Sequence, residues 1–217
     1  GGGQNTIALA RWGGEAFGVD PSQNQILYAR SLARACGVKA AFAVAPAEEL
    51  PFVRNCFDVI LSSHAFGYVA DIEKAFNEVH RVLRGDGIFV LCLGHPYFRA
   101  VGFHLAGDPE EPEIRNYLSW PEVDSWTWNC GEEKIPMWDY NRTLSQIVNP
   151  LLERGFILER MIEQGIEDVA AMSEKEKATI PYLCKWDEKE YAIQRKLPCT
   201  LILKVRKLVS TSCSFAC

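Results

Sequence analysis

The 217-residue sequence contains no apolar run that approaches the roughly 20 residues a membrane-spanning helix needs. It also lacks CxxC pairs among its eight cysteines, internal repeats and low-complexity segments. No two histidines stand at metal-ligand spacing beside a carboxylate, so we predict no metal site. The net charge is only -5, and an acidic balance weighs against a nucleic-acid partner, which would favour a basic face. These absences disfavour a membrane-spanning protein, a metalloenzyme and a nucleic-acid-binding protein.

The composition that is present is typical of a globular domain. Hydrophobic residues make up 48% and charged residues 24%, and the length suits a single domain spanning 1–217. Cys36, Cys56 and Cys92 lie at or beside apolar segments, where free thiols pack as small hydrophobic groups. We therefore expect the cysteines to be reduced and the protein to be cytoplasmic. The start of the sequence has no apolar stretch typical of a secretory segment. Cys213 and Cys217 lie in a polar segment, and the sequence does not define their redox role.

The first half alternates strand and helix signals. Ser22 and Gly37 are typical of the start and the end of one helix, and Asp71 and Gly85 are expected to bracket another. Short apolar segments separated by helices predict a Rossmann-like, doubly wound, mostly parallel α/β sheet. The predicted strands of this half are residues 15–20, 40–45, 57–63 and 87–93.

The second half is less regular. Residues 94–140 hold five prolines and four of the six tryptophans. A structureless loop of that length is rare in a compact domain, so we predict an aromatic-rich cap inserted over the sheet edge. Strands are expected at 156–162 and 200–207. We predict a helical insert over 164–198 and a flexible tail over 208–217.

A glycine turn and an acid provide the first sign of a ligand. Gly1 and Gly3 precede a short helix, and the missing Cβ atoms and free N–H groups of such a turn let a ligand approach the backbone. Asp20 ends the next strand. In dinucleotide-binding folds an acid about 20 residues beyond the glycines bonds the ribose, since a carboxylate can accept two hydrogen bonds from a vicinal diol. The pattern indicates a nucleoside ligand.

Several longer segments resemble the class I S-adenosylmethionine-dependent methyltransferases, in particular the small-molecule group called type 11. The resemblance covers residues 1–93 almost continuously, and 140–156 resembles the helix and GF turn before the sixth strand of that fold. The segments that carry it are the glycine turn Gly1-Gly2-Gly3, Gly18-Val19-Asp20-Pro21-Ser22, Ala47-Glu48-Glu49-Leu50-Pro51-Phe52, residues 57–64 and Glu78-Val79-His80-Arg81-Val82-Leu83-Arg84-Gly85-Asp86-Gly87.

The resemblance implies a seven-strand fold and S-adenosylmethionine as cofactor. The first strand of that fold has no counterpart here, so we expect the chain to be truncated at its N-terminus. Pro46 stands where the family often has an aspartate that contacts the adenine amino group, and proline offers no side-chain acceptor. The residues that the resemblance assigns to the cofactor are Gly1, Gly3, Asp20, Pro21, Ala47, Glu48 and Ser63.

The candidate catalytic residue is His64, which follows the fourth strand of the resembling fold. An imidazole beside the methyl group could deprotonate an acceptor, because its pKa lies near working pH. The alternative is a histidine that only lines the pocket. His95, Tyr140 and Arg142 are predicted to bind the substrate, although Arg142 could equally lie on a helix surface. The aromatic cap would bind a flat or apolar substrate, or it forms hydrophobic core.

The function that these residues favour is methyl transfer from S-adenosylmethionine to a small-molecule acceptor by in-line displacement. One alternative keeps the enzyme class but makes a tRNA or a protein the acceptor. Another is a methyltransferase-like module that binds a nucleoside or a partner without catalysis. A nicotinamide-dependent dehydrogenase would explain the glycines and Asp20, but not residues 47–52 or 78–87. The sequence does not define the oligomeric state.

Overall fold

The structure, a computed structural model, describes residues 1–101, 117–118, 123–130, 133–165, 172–177 and 195–209. Most of the predicted tail, with Cys213 and Cys217, and large parts of the predicted cap and insert therefore lie outside the described residues. The helices are α1 (Gln4–Arg11), α2 (Gln23–Ala35), α3 (Ile72–Val82), α4 (Pro96–Val101), α5 (Leu144–Glu153) and α6 (Glu174–Lys177). The strands are β1 (Phe17–Asp20), β2 (Ala41–Val44), β3 (Phe57–Ser63), β4 (Leu83–Gly94), β5 (Val123–Cys130), β6 (Glu133–Tyr140), β7 (Phe156–Gly165) and β8 (Pro198–Lys207).

The strands form a mixed sheet arrangement, within the Rossmann-like α/β class that was predicted. β1 and β2 make a parallel pair, and a second sheet has the order β3-β4-β8-β7. β3 and β4 are parallel, whereas β8 runs antiparallel to both β4 and β7. β7 and β8 are joined by residues 166–197, and β8 enters the sheet between β4 and β7. The sheet is therefore parallel where helices connect the strands and antiparallel at its other end.

Capping residues explain where three helices begin, and the first two of these positions were predicted from the sequence. The Ser22 hydroxyl accepts a hydrogen bond from the Gln25 amide at the start of α2. The Asp71 carboxylate accepts a hydrogen bond from the Lys74 amide at the start of α3. Thr143 begins α5 with a capping box, in which Gln146 returns a hydrogen bond to the backbone. These caps hold the helices in register with the strands that precede them.

The end of α3 differs from the prediction. Gly85 does not end this helix, which stops at Val82 and leads directly into β4. The Lys207 ammonium accounts for the difference, because it donates to the carbonyl oxygens of His80 and Leu83 at 2.7 Å each. A side chain from the last strand thus satisfies helix-end carbonyls that a glycine cap would otherwise serve.

One face of the four-stranded sheet forms the main core. Phe89, Leu91, Leu201 and Leu203 are fully buried there, under α3 and α5. The opposite face carries the alternate residues of the same strands and is much more open. Leu61, for example, is 40% exposed. The helices of this domain therefore cover one face of this sheet more completely than the other.

The β1-β2 pair and the four-stranded sheet are in contact, but no described strand of one is hydrogen-bonded to a strand of the other. The rings of Phe17 at the start of β1 and Phe57 at the start of β3 pack edge to face, with centroids 5.7 Å apart. In the described residues no hydrogen-bonded register joins β1 to β3. The gap between the two sheets lies where the resemblance predicts a further strand, and that strand stays a prediction.

Among the residues that the structure describes, no helix is long and apolar enough to cross a membrane.

The predicted cap contains an antiparallel hairpin of β5 and β6. Trp126 donates from its indole nitrogen to the Asp139 carboxylate at 2.8 Å, and Asp139 is buried. Asp139 also faces Gly67, close to the end of β3. The exposed side chains of the hairpin include Trp126 and Trp138. The placement of this hairpin as a substrate cap stays a prediction.

Candidate functional site

The glycine turn lies at the start of α1. Gly3 has a φ of +84°, a conformation that favours glycine, and its carbonyl accepts the first helical hydrogen bond from Ile7. A Cβ at Gly3 would lie 2.8 Å from the Cβ of Ala29. At Gly1 the corresponding position has no heavy atom within 4 Å. The turn therefore packs closely against α2 at Gly3.

Asp20 lies beside this turn, at the carboxyl end of β1. One carboxylate oxygen accepts the Ser22 amide at 2.8 Å, and the other contacts the backbone nitrogen of Gly1. Pro21 follows directly and leads into α2. The first bond fixes the orientation of the carboxylate, which is 19% exposed on its side chain. The carboxylate is therefore held in place at the carboxyl end of β1.

The loop after β2 approaches the same edge. The amide of Ala45 donates to the carbonyl of Asp20 at 3.2 Å, so Ala47 and Glu48 follow the strand that pairs with β1. The Glu48 side chain is half-buried, and its carboxylate accepts a hydrogen bond from the Asp71 amide at 3.5 Å. That bond favours a structural role for this side chain in the loop.

These residues fit the adenosyl part of the predicted cofactor. A ribose diol needs paired acceptors, and Asp20 supplies an oriented carboxylate. The loop with Ala47 begins at the same edge, where β2 ends beside β1. The sequence-predicted residues Gly1, Asp20, Pro21, Ala47 and Glu48 therefore cluster at the carboxyl ends of β1 and β2.

Ser63 and His64 lie at the carboxyl end of β3, on the neighbouring sheet. The His64 amide donates to the carbonyl of Cys92 at 2.7 Å, and its imidazole Nε2 lies 3.6 Å from the Cys92 sulfur. His64 has a φ of +53°, an uncommon conformation for a residue with a side chain. Burial lowers the pKa of His64 and raises the pKa of the Cys92 thiol, since both prefer the neutral form there.

Cys92 is a neighbour of His64 that sequence reasoning did not assign to the site. The strand register pairs Ser63 with Cys92, which places the hydroxyl, the thiol and the imidazole on one edge. Parallel pairing of residues 57–63 with 87–93 was predictable, but the register between them was not. The cluster forms because two strands pair in this register, so no local sequence pattern reveals it.

His95 is buried, with 5% exposure, and both of its ring nitrogens bond to the protein. Nδ1 accepts the Tyr97 amide at 3.1 Å, and Nε2 lies 2.9 Å from a Glu163 carboxylate oxygen on β7. An imidazole with both nitrogens engaged has little capacity left for a substrate. This geometry favours a role for His95 in fixing the ends of β4 and β7, and its substrate contact remains a prediction.

Arg142 ties the segment after β3 to the end of the hairpin. It does not lie on a helix surface: it precedes α5, which begins at Leu144, and its guanidinium donates to the carbonyls of Val69 at 2.6 Å and Ala70 at 2.9 Å. It also lies over the Tyr140 ring, 5.5 Å from the centroid. Arg142 therefore holds backbone in place, and substrate binding by Arg142 and Tyr140 stays a prediction.

A groove of about 950 Å³ opens between the N-terminal part of α3 and the face of α5 that runs from Thr143 to Arg154. It contains none of the residues predicted to bind the cofactor. Within the described segments, no group of three or more histidine, cysteine or acidic side chains converges as metal ligands would. The residues that line the groove include Asp71, Lys74, Tyr117, Thr143 and Arg154.

The fold and the placement of the glycine turn, the acid and the loop agree with the resemblance to class I methyltransferases. Comparison with known proteins agrees: residues 1–91 match the family described as a methyltransferase domain. That segment is the one in which the sequence resembles the class I S-adenosylmethionine-dependent methyltransferases.

Individual relatives cover only part of the chain. It is 33% identical over 120 residues to an uncharacterised methyltransferase, YcgJ, from Bacillus subtilis (strain 168), which covers 55% of this chain and 44% of that protein. It is 34% identical over 94 residues to a ubiquinone biosynthesis O-methyltransferase from Rhizobium etli, covering 43% of this chain and 38% of that protein. The chain thus spans less than half the length of these curated relatives.

The fold extends further than the sequence similarity. The crystal structure of an S-adenosylmethionine-dependent methyltransferase from Mesorhizobium loti superimposes with a TM-score of 0.62 at 22% identity. That match covers 89% of this chain and 80% of the other. It shows that the two chains share a fold, including regions beyond residue 91.

Proposed function

We propose that the protein transfers the methyl group of S-adenosylmethionine to a small-molecule acceptor. The observation that supports it best is the meeting of Asp20 and the loop after β2 at one sheet edge, in a chain whose first 91 residues match a methyltransferase domain. Open α/β sheets bind ligands at the carboxyl ends of their strands.

The residues at this sheet edge would hold different parts of the cofactor. The Asp20 carboxylate accepts the ribose hydroxyls, and the backbone of Gly1 and Gly3 lies against the cofactor. Ala47 and Glu48 flank the adenine. Bound S-adenosylmethionine would supply a methyl group already activated on a sulfonium centre. The work left to the protein is alignment and exclusion of water, and alignment alone can contribute several kcal/mol, up to about 7–11.

His64 is proposed as the base for an acceptor that must lose a proton. Burial lowers its pKa, which favours the neutral imidazole that can accept that proton. If Nε2 donates to the Cys92 sulfur, Nδ1 keeps its lone pair for this step. Ser63 borders the same edge. In this proposal the cysteine selects which nitrogen acts.

The small-molecule acceptor is supported by the weakly acidic charge and by exposed aromatic side chains just after β4 and on the hairpin. Tyr97, Trp126 and Trp138 are each at least 41% exposed. Aromatic faces suit flat, apolar ligands. The Rhizobium etli relative is named for O-methylation in ubiquinone biosynthesis, and we propose an acceptor with a hydroxyl on an aromatic or extended apolar frame.

A non-catalytic nucleoside-binding module is the second candidate. Pro46 favours it, because this residue removes a side-chain acceptor at the position where the family often contacts the adenine amino group. Such a module would bind the adenosyl group and show no turnover. Binding and turnover experiments therefore separate the two candidates.

The proposed function is tested by titrating S-adenosylhomocysteine into the full-length protein by calorimetry, with NAD as a control. We expect binding of S-adenosylhomocysteine with a dissociation constant in the micromolar range and no heat from NAD. Absence of binding by either ligand would contradict the proposal. Binding of NAD alone would instead favour the dehydrogenase alternative.

The role of His64 is tested by replacing it with asparagine, a residue that tolerates its positive φ. We expect methyl transfer to fall by about 100-fold or more, as for loss of a general base, with binding of S-adenosylhomocysteine retained. In the unchanged protein the rate should fall on the acid side as His64 gains a proton, and this limb of the pH profile should disappear in the variant. Unchanged turnover in His64→Asn would mean that His64 only lines the pocket.

A further inference from the structure

The loop after β2 is clamped by two charged side chains of α3. We name residues 46–52 the adenine loop, following the role proposed for Ala47 and Glu48. The Glu78 carboxylate accepts the amide of Leu50 at 2.7 Å. Arg81 donates to the carbonyl of the same residue at 2.9 Å and to that of Phe52 at 2.7 Å. Both backbone polar groups of Leu50 are thus held by one helix face.

Glu78 and Arg81 also bind each other, so the clamp is a closed network. The guanidinium reaches both carboxylate oxygens, with distances of 2.6 and 2.7 Å. Arg81 therefore lowers the pKa of the Glu78 carboxyl, mainly through this hydrogen bond, and the amide of Leu50 lowers it further. Planar, two-point pairing of this kind depends on the fork of an arginine and is not reproduced by lysine.

The N-terminal end of the adenine loop is anchored beside Asp20, the residue proposed to bind the ribose. The Ala45 amide bonds to the carbonyl of Asp20 just before the loop begins. At the far end, the Phe52 ring packs against Phe17 and Phe57, with centroids 5.9 and 4.8 Å away. The clamp holds the segment between these two anchors. Its position therefore fixes where Ala47 lies relative to Asp20.

Pro46 makes the position of this backbone more important. Proline has no side-chain acceptor, so the contacts of the loop with a base depend on main-chain groups such as the Ala47 amide. A loop that is already ordered loses less conformational freedom when a ligand binds. The clamp would supply that order from outside the site.

We propose that Glu78 and Arg81 are positioning residues for cofactor binding, which set the backbone of the adenine loop for recognition of the base. This inference rests on the proposed function, since it needs a nucleoside at the edge defined by Asp20. Neither side chain touches the ligand in this arrangement. Their effect passes through Leu50 and Phe52.

The test uses Arg81→Lys and Glu78→Gln in the full-length protein, with Arg154→Lys as a matched control. Arg154 also pairs with an acid of α3, Glu73, at 2.9 Å, but it ties α3 to α5 rather than to the adenine loop. Calorimetry measures binding of S-adenosylhomocysteine and of S-inosylhomocysteine, which lacks the adenine amino group. Thermal melting reports the stability of each variant.

We expect Arg81→Lys and Glu78→Gln to bind S-adenosylhomocysteine about tenfold more weakly, because the ligand must then order a loop that the clamp no longer holds. The preference for the adenine over the inosine ligand should fall in both variants, whereas Arg154→Lys should keep wild-type affinity and preference. Should Arg81→Lys fail to fold, Glu78→Gln alone decides.

Two results would overturn the inference while leaving the proposed function intact. One is wild-type affinity in both clamp variants. The other is equal weakening for both ligands, because a general loss of structure does not discriminate between bases. Absence of binding in the unchanged protein would overturn the proposed function itself, and this inference with it.

Discussion

Replacement of Asp20 by alanine is expected to weaken binding of S-adenosylhomocysteine by about 100-fold. The carboxylate is held by the Ser22 amide and stands at the end of β1, where it can accept both hydroxyls of a ribose. Each hydrogen bond to a charged acceptor contributes about 1.5–3 kcal/mol, and a loss of about 2.7 kcal/mol corresponds to the expected factor. Calorimetric titration measures it directly.

Two further variants give this measurement its controls. Asp20→Asn keeps the shape and one acceptor oxygen, so we expect an intermediate loss of affinity. Glu15→Ala removes an exposed acid just before the start of the same strand and should bind as the unchanged protein does. Equal affinities of Asp20→Ala and Glu15→Ala would contradict the assignment of Asp20 to the ribose.

Replacement of Leu91 by alanine is expected to lower the free energy of unfolding by about 3–5 kcal/mol. Leu91 is fully buried on β4, and its neighbours in the sheet include Leu203, its registered partner on β8. Removal of the side chain would leave a cavity between the sheet and its covering helices. Equilibrium unfolding in urea, followed by circular dichroism, measures the change.

Leu61→Ala is the matched control for that prediction. Leu61 lies on the neighbouring strand β3, but on the opposite face of the sheet, where it is 40% exposed. The same chemical change there should cost about 1 kcal/mol or less, because less apolar area leaves the interior. Equal losses for the two variants would mean that the open face is covered as tightly as the core.

Local sequence signals predict most of the first half of the fold. Strand 57–63 is observed with the predicted bounds, and Ser22 and Gly37 mark the limits of the second helix as expected. These signals are local, since a cap or an apolar run acts within a few residues. The end of α3 was predicted wrongly at Gly85, because the deciding contact comes from Lys207, 124 residues beyond Leu83.

The same distinction applies to the candidate site. Asp20 and the glycine turn have a recognisable spacing, so the sequence indicates the nucleoside edge. The partners of His95 and Arg142 are 68 and 72–73 residues away, respectively, and no spacing rule reveals them. The hairpin was also missed, since Pro136 argues against a strand, although a two-stranded ribbon has free edges that tolerate proline.

The position of β8 has a consequence for the order in which the protein can fold during synthesis. This strand lies between β4 and β7, although both leave the ribosome before it. Until it arrives, the inner edge of β4 and the side chains later covered beside Leu201 and Leu203 face the surroundings. The sheet therefore closes late, and the nascent chain carries an open apolar edge of the kind that chaperones recognise and that promotes aggregation.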